Sequence, residues 1–86
     1  MSNEAPIVAY VIYGCPYCKA AVKLLRSLGV PHRIQNIGSN ADLMVKLANA
    51  TGSPTVPKIF VNGEFIGGYT NLEQLAKSGQ LDQFRR

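Results

Sequence analysis

The chain has 86 residues, 47% of them hydrophobic and 16% charged, which is room for one domain over residues 1–86 and excludes both a multi-domain enzyme and a disordered chain. Nine Lys and Arg against five Asp and Glu leave a net charge of +4, but the bases are scattered through the chain. That balance favours anionic partners and lacks the clustered stripe with aromatic interleaving of a nucleic-acid binder. The longest apolar run, around Val8 to Ile12 and at most Ile7 to Tyr13, is far short of the ~20 residues of a membrane span. Met1–Pro6 has no basic n-region and too short an apolar stretch for a secretory signal. The expectation is a cytoplasmic protein, monomeric, with no nucleic-acid or membrane partner.

In chain order, Ile7 to Tyr13 is apolar and β-rich and predicts a central strand. Gly14-Cys15-Pro16 breaks it. Ala21, Leu24, Leu25 and Leu28 then recur at helical spacing, with Lys19, Lys23 and Arg26 on the other face. Pro16 suits a first helical turn, and Gly29 followed by Pro31 stops the helix, so it spans Pro16 to Leu28. His32 to Ile37 predicts a second, more polar strand. Ser39-Asn40-Ala41-Asp42 reads as an N-cap box opening a helix through Leu43, Leu47 and Ala50 to Gly52.

After the turn Ser53-Pro54-Thr55, Val56 to Val61 predicts a strand, Asn62-Gly63 a two-residue hairpin turn and Phe65-Ile66 the returning strand. Thr70-Asn71-Leu72-Glu73 reads as a capping box on a last helix that buries Leu72, Leu75 and Ala76 and stops at Gly79. The order is β-α-β-α-β-β-α. A right-handed crossover between the first two strands makes them parallel, and the hairpin adds an antiparallel pair. The fold class is α/β, a four-stranded mixed sheet flanked by helices, and with Cys15-Pro16-Tyr17-Cys18 at the end of the first strand it is the thioredoxin-like arrangement.

Cys15 and Cys18 are the only cysteines, too few and too close to staple a secreted mini-protein. Chemistry is the better reason for the pair. Cys15 falls at a helix N-cap, where its sulfur can accept hydrogen bonds from the free N–H groups of Tyr17 and Cys18. An ordinary thiol is only about 3% thiolate at pH 7, and a helix start with cationic company lowers its pKa enough to make the thiolate dominant. Lys19, one turn on, is expected to add positive potential. Cys18 lies nearer the helix body, less exposed and less acidic. These positions make Cys15 the nucleophile and Cys18 the resolving thiol. A zinc site needs four ligands, and His32 is the only further soft donor, so no metal is expected.

Cys15-Pro16-Tyr17-Cys18, then Thr55-Val56-Pro57, then Gly67-Gly68 stand in the order and at the separations of the glutaredoxin family, and the chain closely resembles its dithiol branch over nearly its full length. Thioredoxin is disfavoured, because Trp-Cys-Gly-Pro-Cys is absent and the chain has no Trp. The resemblance implies glutathione as cofactor and reductant. It also implies reduction of protein-glutathione mixed disulfides and of protein disulfides, with ribonucleotide reductase as one possible electron acceptor.

In the resembled family the proline matching Pro57 is cis and exposes the backbone of the residue matching Val56 to a peptide-like ligand. The resemblance further places Thr55, Tyr17, Gly68 and Tyr69 around glutathione, and the N–H groups of Thr70 and Asn71 on its γ-glutamyl carboxylate. The chain departs from the family at Ile12, where Lys or Arg often meets the glycine carboxylate of glutathione; Lys46 or Lys58 is the expected substitute. It departs again at Tyr69, where many members have Cys and then acidic residues. Two rival readings remain: a glutathione-ligated iron–sulfur cluster carrier, against which Pro16 weighs, and a redoxin of this fold reduced directly by thioredoxin reductase.

Overall fold

The computed structural model describes residues 5–84; Arg85, Arg86 and Met1–Glu4, most of the segment read above for a secretory signal, lie outside the described residues. β1 (Ile7–Val11) is the organising element, because its alternation puts Ile7, Ala9 and Val11 into the core while Val8 and Tyr10 face the other way. It pairs in parallel with β2 (His32–Asn36), Ile7 opposite His32 and Val11 opposite Asn36. On its other side it pairs antiparallel with β3 (Lys58–Val61), Ala9 opposite Ile59. β4 (Glu64–Gly67) closes the hairpin on β3, giving the sheet order β2-β1-β3-β4. This is the expected mixed four-stranded sheet.

Two strands are shorter than their apolar runs. β1 was expected through Tyr13 and ends at Val11, where its partners end: β2 stops at Asn36, and the pairing with β3 stops at Tyr10 opposite Lys58. Ile12 and Tyr13 are thereby released into the loop before the first helix. β3 was expected from Val56 and begins at Lys58, since Pro57 has no N–H to give to a ladder. The hairpin turn is as expected, with Asn62 and Gly63 both left-handed at φ 51° and 84°, the twist-matched geometry for a two-residue connection.

α1 spans Pro16–Leu28 as read, and Gly29 at φ 68° closes it with its N–H on the Arg26 carbonyl at 3.3 Å. It buries Cys18, Ala21 and Leu25 against the sheet. α3 (Tyr69–Lys77) packs beside it through Leu72, and both helices share one core with Ile7, Ala9, Val11 and Ile59. A 3-10 turn over Asp82–Phe84, for which the sequence carried no periodic signal, follows Leu81, which is also buried in that core.

α2 (Ala41–Thr51) is different. Asn40 caps it, accepting the Leu43 N–H at 3.0 Å, yet none of its residues is fully buried and Ala50 is exposed.

The core between α1 and β1 is small enough that one side chain matters. Leu25→Ala, at a site that is 0% exposed, should lower unfolding stability in urea by about 2–5 kcal/mol. Leu43→Ala on half-buried α2 should cost less than half as much as the Leu25 change.

Candidate active site

Cys15 is the N-cap of α1, in extended conformation at φ −86° and ψ 120°, and its carbonyl accepts the first helical hydrogen bond from the Lys19 N–H at 3.0 Å. Gly14, left-handed at φ 88°, turns the chain from the end of β1 into that position. The N–H groups of Tyr17 and Cys18 precede the first helical bond and so have no partner within the helix. They do not form a regular cap bond with the sulfur. Acting as dipoles directed at it, they hold the Cys15 thiol below its ordinary pKa, the Cys18 N–H most strongly, with the Cys18 thiol and the Tyr17 N–H adding to it against a desolvation penalty. Lys19, expected to help, is not among the causes of this shift.

Cys18 has the opposite environment. It is 2% exposed, and burial first, then its contact with Cys15, pushes its thiol up to about 11, against an opposing backbone hydrogen bond from Ile12. The two thiols are thus neighbours with separated acidities, one half-exposed and one enclosed.

Val56 and Pro57 form the second wall, with a cis peptide bond between them, as the family resemblance implied. Thr55 is exposed, Val56 half-buried and Pro57 buried. Gly68 backs onto this segment closely enough that a Cβ there would lie 3.4 Å from the Pro57 carbonyl oxygen. The three motifs, far apart in sequence, therefore meet through Gly68 against Pro57 and through Tyr17 beside Tyr69. The Tyr17 and Tyr69 rings complete the wall, their centroids 6.2 Å apart.

Three expectations are corrected. Thr70 does not cap α3: the helix begins at Tyr69, Gly68 is the N-cap, and Asn71 Oδ1 accepts the Gly68 N–H at 3.2 Å. Thr70 is instead an exposed residue in the first turn. Glu73, read as its box partner, accepts the Tyr69 hydroxyl at 3.3 Å. The N–H groups of Thr70 and Asn71 still precede the first helical bond, from Leu72 N–H to the Gly68 carbonyl, and so remain available. Gly67 is left-handed at φ 120°, and a Cβ there would run into the Asn71 side chain that does the capping.

The third correction is Lys58, which cannot replace the basic residue missing at Ile12. It is 2% exposed, and its ammonium donates to the Ser53 carbonyl and, at 2.8 Å, to the Thr55 carbonyl. Phe65 lies beneath, its ring centre 5.9 Å from Nζ. Burial lowers the Lys58 pKa. The side chain fastens the loop leading into Thr55-Val56-Pro57, a role no spacing in the sequence announces.

Lys46 is exposed on α2. Tyr13 is 86% exposed and, with Ile12, Cys18 and Lys19, lines a groove of about 620 Å³ beside α1. His32 is tied up, its Nδ1 2.9 Å from the Val30 carbonyl.

The glutaredoxin family profile matches residues 7–66. A glutaredoxin of Pseudomonas aeruginosa is 36% identical over 77 residues, covering 90% of this chain and 92% of the relative. The solution structure of a dithiolic glutaredoxin from Trypanosoma brucei brucei superposes with a TM-score of 0.83 at 35% identity, over 93% of this chain and 86% of that one. The crystal structure of a buckwheat glutaredoxin in complex with glutathione gives a TM-score of 0.83 at 28% identity, over 93% of this chain and 76% of that one. With its paired thiols at the head of α1 and this fold around them, the chain belongs to the glutaredoxin family and is a thiol-disulfide oxidoreductase.

Proposed function

We propose that the protein uses glutathione to reduce protein-glutathione mixed disulfides and protein disulfides, with Cys15 as nucleophile and Cys18 as resolving thiol. The observation that carries this is the division of acidity between two adjacent thiols, Cys15 lowered at a helix start and Cys18 raised to about 11 in the core. Only the thiolate attacks a disulfide, so at neutral pH the first attack belongs to Cys15.

On a mixed disulfide, the Cys15 sulfur bonds to the sulfur of glutathione and the protein thiolate leaves to take a proton. A second glutathione thiolate then attacks the glutathione sulfur on Cys15. Oxidised glutathione departs and the Cys15 thiolate returns, so the net change converts one mixed disulfide and one glutathione into the free protein thiol and one oxidised glutathione.

On a protein disulfide, Cys15 is first bonded to the substrate, and Cys18 must attack the Cys15 sulfur to release it. Part of what raises Cys18 is the neighbouring Cys15 sulfur, through its hydrogen bond and its charge. Both contributions end once Cys15 is in a neutral disulfide. Cys18 therefore becomes more acidic at the step that needs its thiolate. The product is a Cys15–Cys18 disulfide, which two glutathione molecules reduce.

Glutathione bound as a peptide fits the groove between the two walls. The Val56 backbone would pair with it in the manner of an added strand, with Thr55 beside it and the Tyr17 and Tyr69 rings flanking it. Support for the γ-glutamyl end comes from the free Thr70 and Asn71 N–H groups beside Gly68. A dithiol of this kind works where glutathione is kept reduced, and the cytoplasm is such a compartment. Ribonucleotide reductase is a candidate acceptor of the electrons.

Two measurements test this reading. Iodoacetamide alkylation of the reduced protein should rise with pH to a midpoint below the ordinary thiol value of about 8.5, reporting Cys15, while Cys18, held up chiefly by burial, reacts only at higher pH. A single midpoint at the ordinary value would remove the helix-start argument. Cys15→Ser should lower turnover on every substrate at least about a thousandfold. Cys18→Ser should keep most of its activity on a glutathionylated peptide, where glutathione from solvent resolves the intermediate. On a protein disulfide it should lose most, because escape there depends on a thiol held at high effective concentration. Equal losses for both variants on both substrates would mean the pair acts as one unit and the assigned roles are wrong.

A further inference from the structure

The groove beside α1 is lined by none of the residues assigned above to glutathione, but the resolving thiol Cys18 forms part of it. Its rim is cationic. Lys19, Lys23 and Arg26 stand at i, i+4 and i+7 on one face of α1, a stripe about 10 Å long by helical rise. Its floor is apolar, with Val22 from the helix and Ile34 from β2. No carboxylate is among the residues that line it.

Two further features say what shape of occupant fits. β2 is an edge strand, paired only with β1, so its outer backbone groups border the groove unpaired within the sheet. Tyr13, Gly14 and Cys18 are among its lining residues, and Gly14 is joined directly to Cys15. A chain laid along the groove in extended form would thus pass beside the thiol pair.

We infer that this groove docks an extended acidic segment of the protein substrate, next to the cysteine whose disulfide is reduced. The inference rests on the proposed reduction of protein disulfides and names the partner class for it. Carboxylates of the segment meet Lys19, Lys23 and Arg26, its apolar residues meet Val22 and Ile34, and its cysteine arrives beside Cys15. Charge at such a rim acts mainly on encounter and specificity, and it weakens as salt screens it. Glutathione is assigned above to other walls, so a small mixed disulfide makes no use of this groove.

The test compares two synthetic disulfide peptides, one with Asp and Glu flanking the cysteine and one with Asn and Gln at the same places, together with the mixed disulfide of cysteine and glutathione. The enzymes are the wild type and a K23E/R26E double variant, neither position being part of the thiol site. The wild type should prefer the acidic peptide, and the preference should shrink from 50 to 500 mM salt. In the double variant KM for the acidic peptide should rise about tenfold, with kcat unchanged and turnover of the small mixed disulfide unchanged. A double variant that keeps the wild-type preference overturns the docking groove. Loss on the small mixed disulfide as well would also overturn it, since the charges would then act on the thiols or the fold. A wild type inactive on every substrate would instead overturn the proposed function, which keeps the two failures distinguishable.

Discussion

A thiolate stabilised by helix N–H groups exists only where the first turn of that helix is held still, and this requirement organises the molecule around the junction of β1 and α1. β1 lies in the interior of the sheet, paired on both sides, and releases the chain at Val11. Gly14 turns it, and Pro16 at the start of α1 restricts the backbone where a missing N–H costs nothing. Behind the junction, Cys18, Ala21 and Leu25 anchor the helix in the core. Burial of Cys18 therefore has two effects at once: it fixes the helix start that acidifies Cys15, and it suppresses the acidity of Cys18 itself.

The same junction explains why the remaining site residues come from distant parts of the chain. Because β3 runs antiparallel to β1, the start of β3 lies beside the end of β1, which carries Val56 and Pro57 to the level of Cys15. β4 then returns the chain in the opposite sense, so its end and the head of α3 arrive at that level too. Two helix starts, those of α1 and α3, converge on one groove, each with N–H groups that no carbonyl of its own helix uses. This is a favourable setting for a thiolate at one helix and a carboxylate at the other.

The distribution of cations follows a different logic. Lys58 is enclosed, its charge spent on two loop carbonyls, so it contributes rigidity to the Ser53–Thr55 turn and little field to the outside. Lys19, Lys23 and Arg26 are exposed and aligned along α1. Residues of one charge type thus serve an internal fastening in one place and an outward surface in the other, and burial alone separates them.

Much of this was legible in the sequence because it depends on local chemistry. The helical spacing from Ala21 to Leu28, bounded by Pro16 and Gly29, was sufficient for α1, and Asn62-Gly63 for the hairpin turn, since each is decided by the backbone preferences of adjacent residues. The unequal cysteines were legible for the same reason: three positions along a helix start separate an end from a buried face. What depends on pairing was not. β1 ends at Val11 because its neighbours in the sheet end there, which no property of Ile12 or Tyr13 reveals. The cap of α3 passed from Thr70 to Gly68 and Asn71 because the exit from β4 sets where the helix begins. Whether a lysine faces water or the core was decided last, by packing: Lys46 and Lys58 look alike in the chain, and only the folded loop over Phe65 distinguishes them, since a buried ammonium requires carbonyls that the tertiary structure alone brings to it.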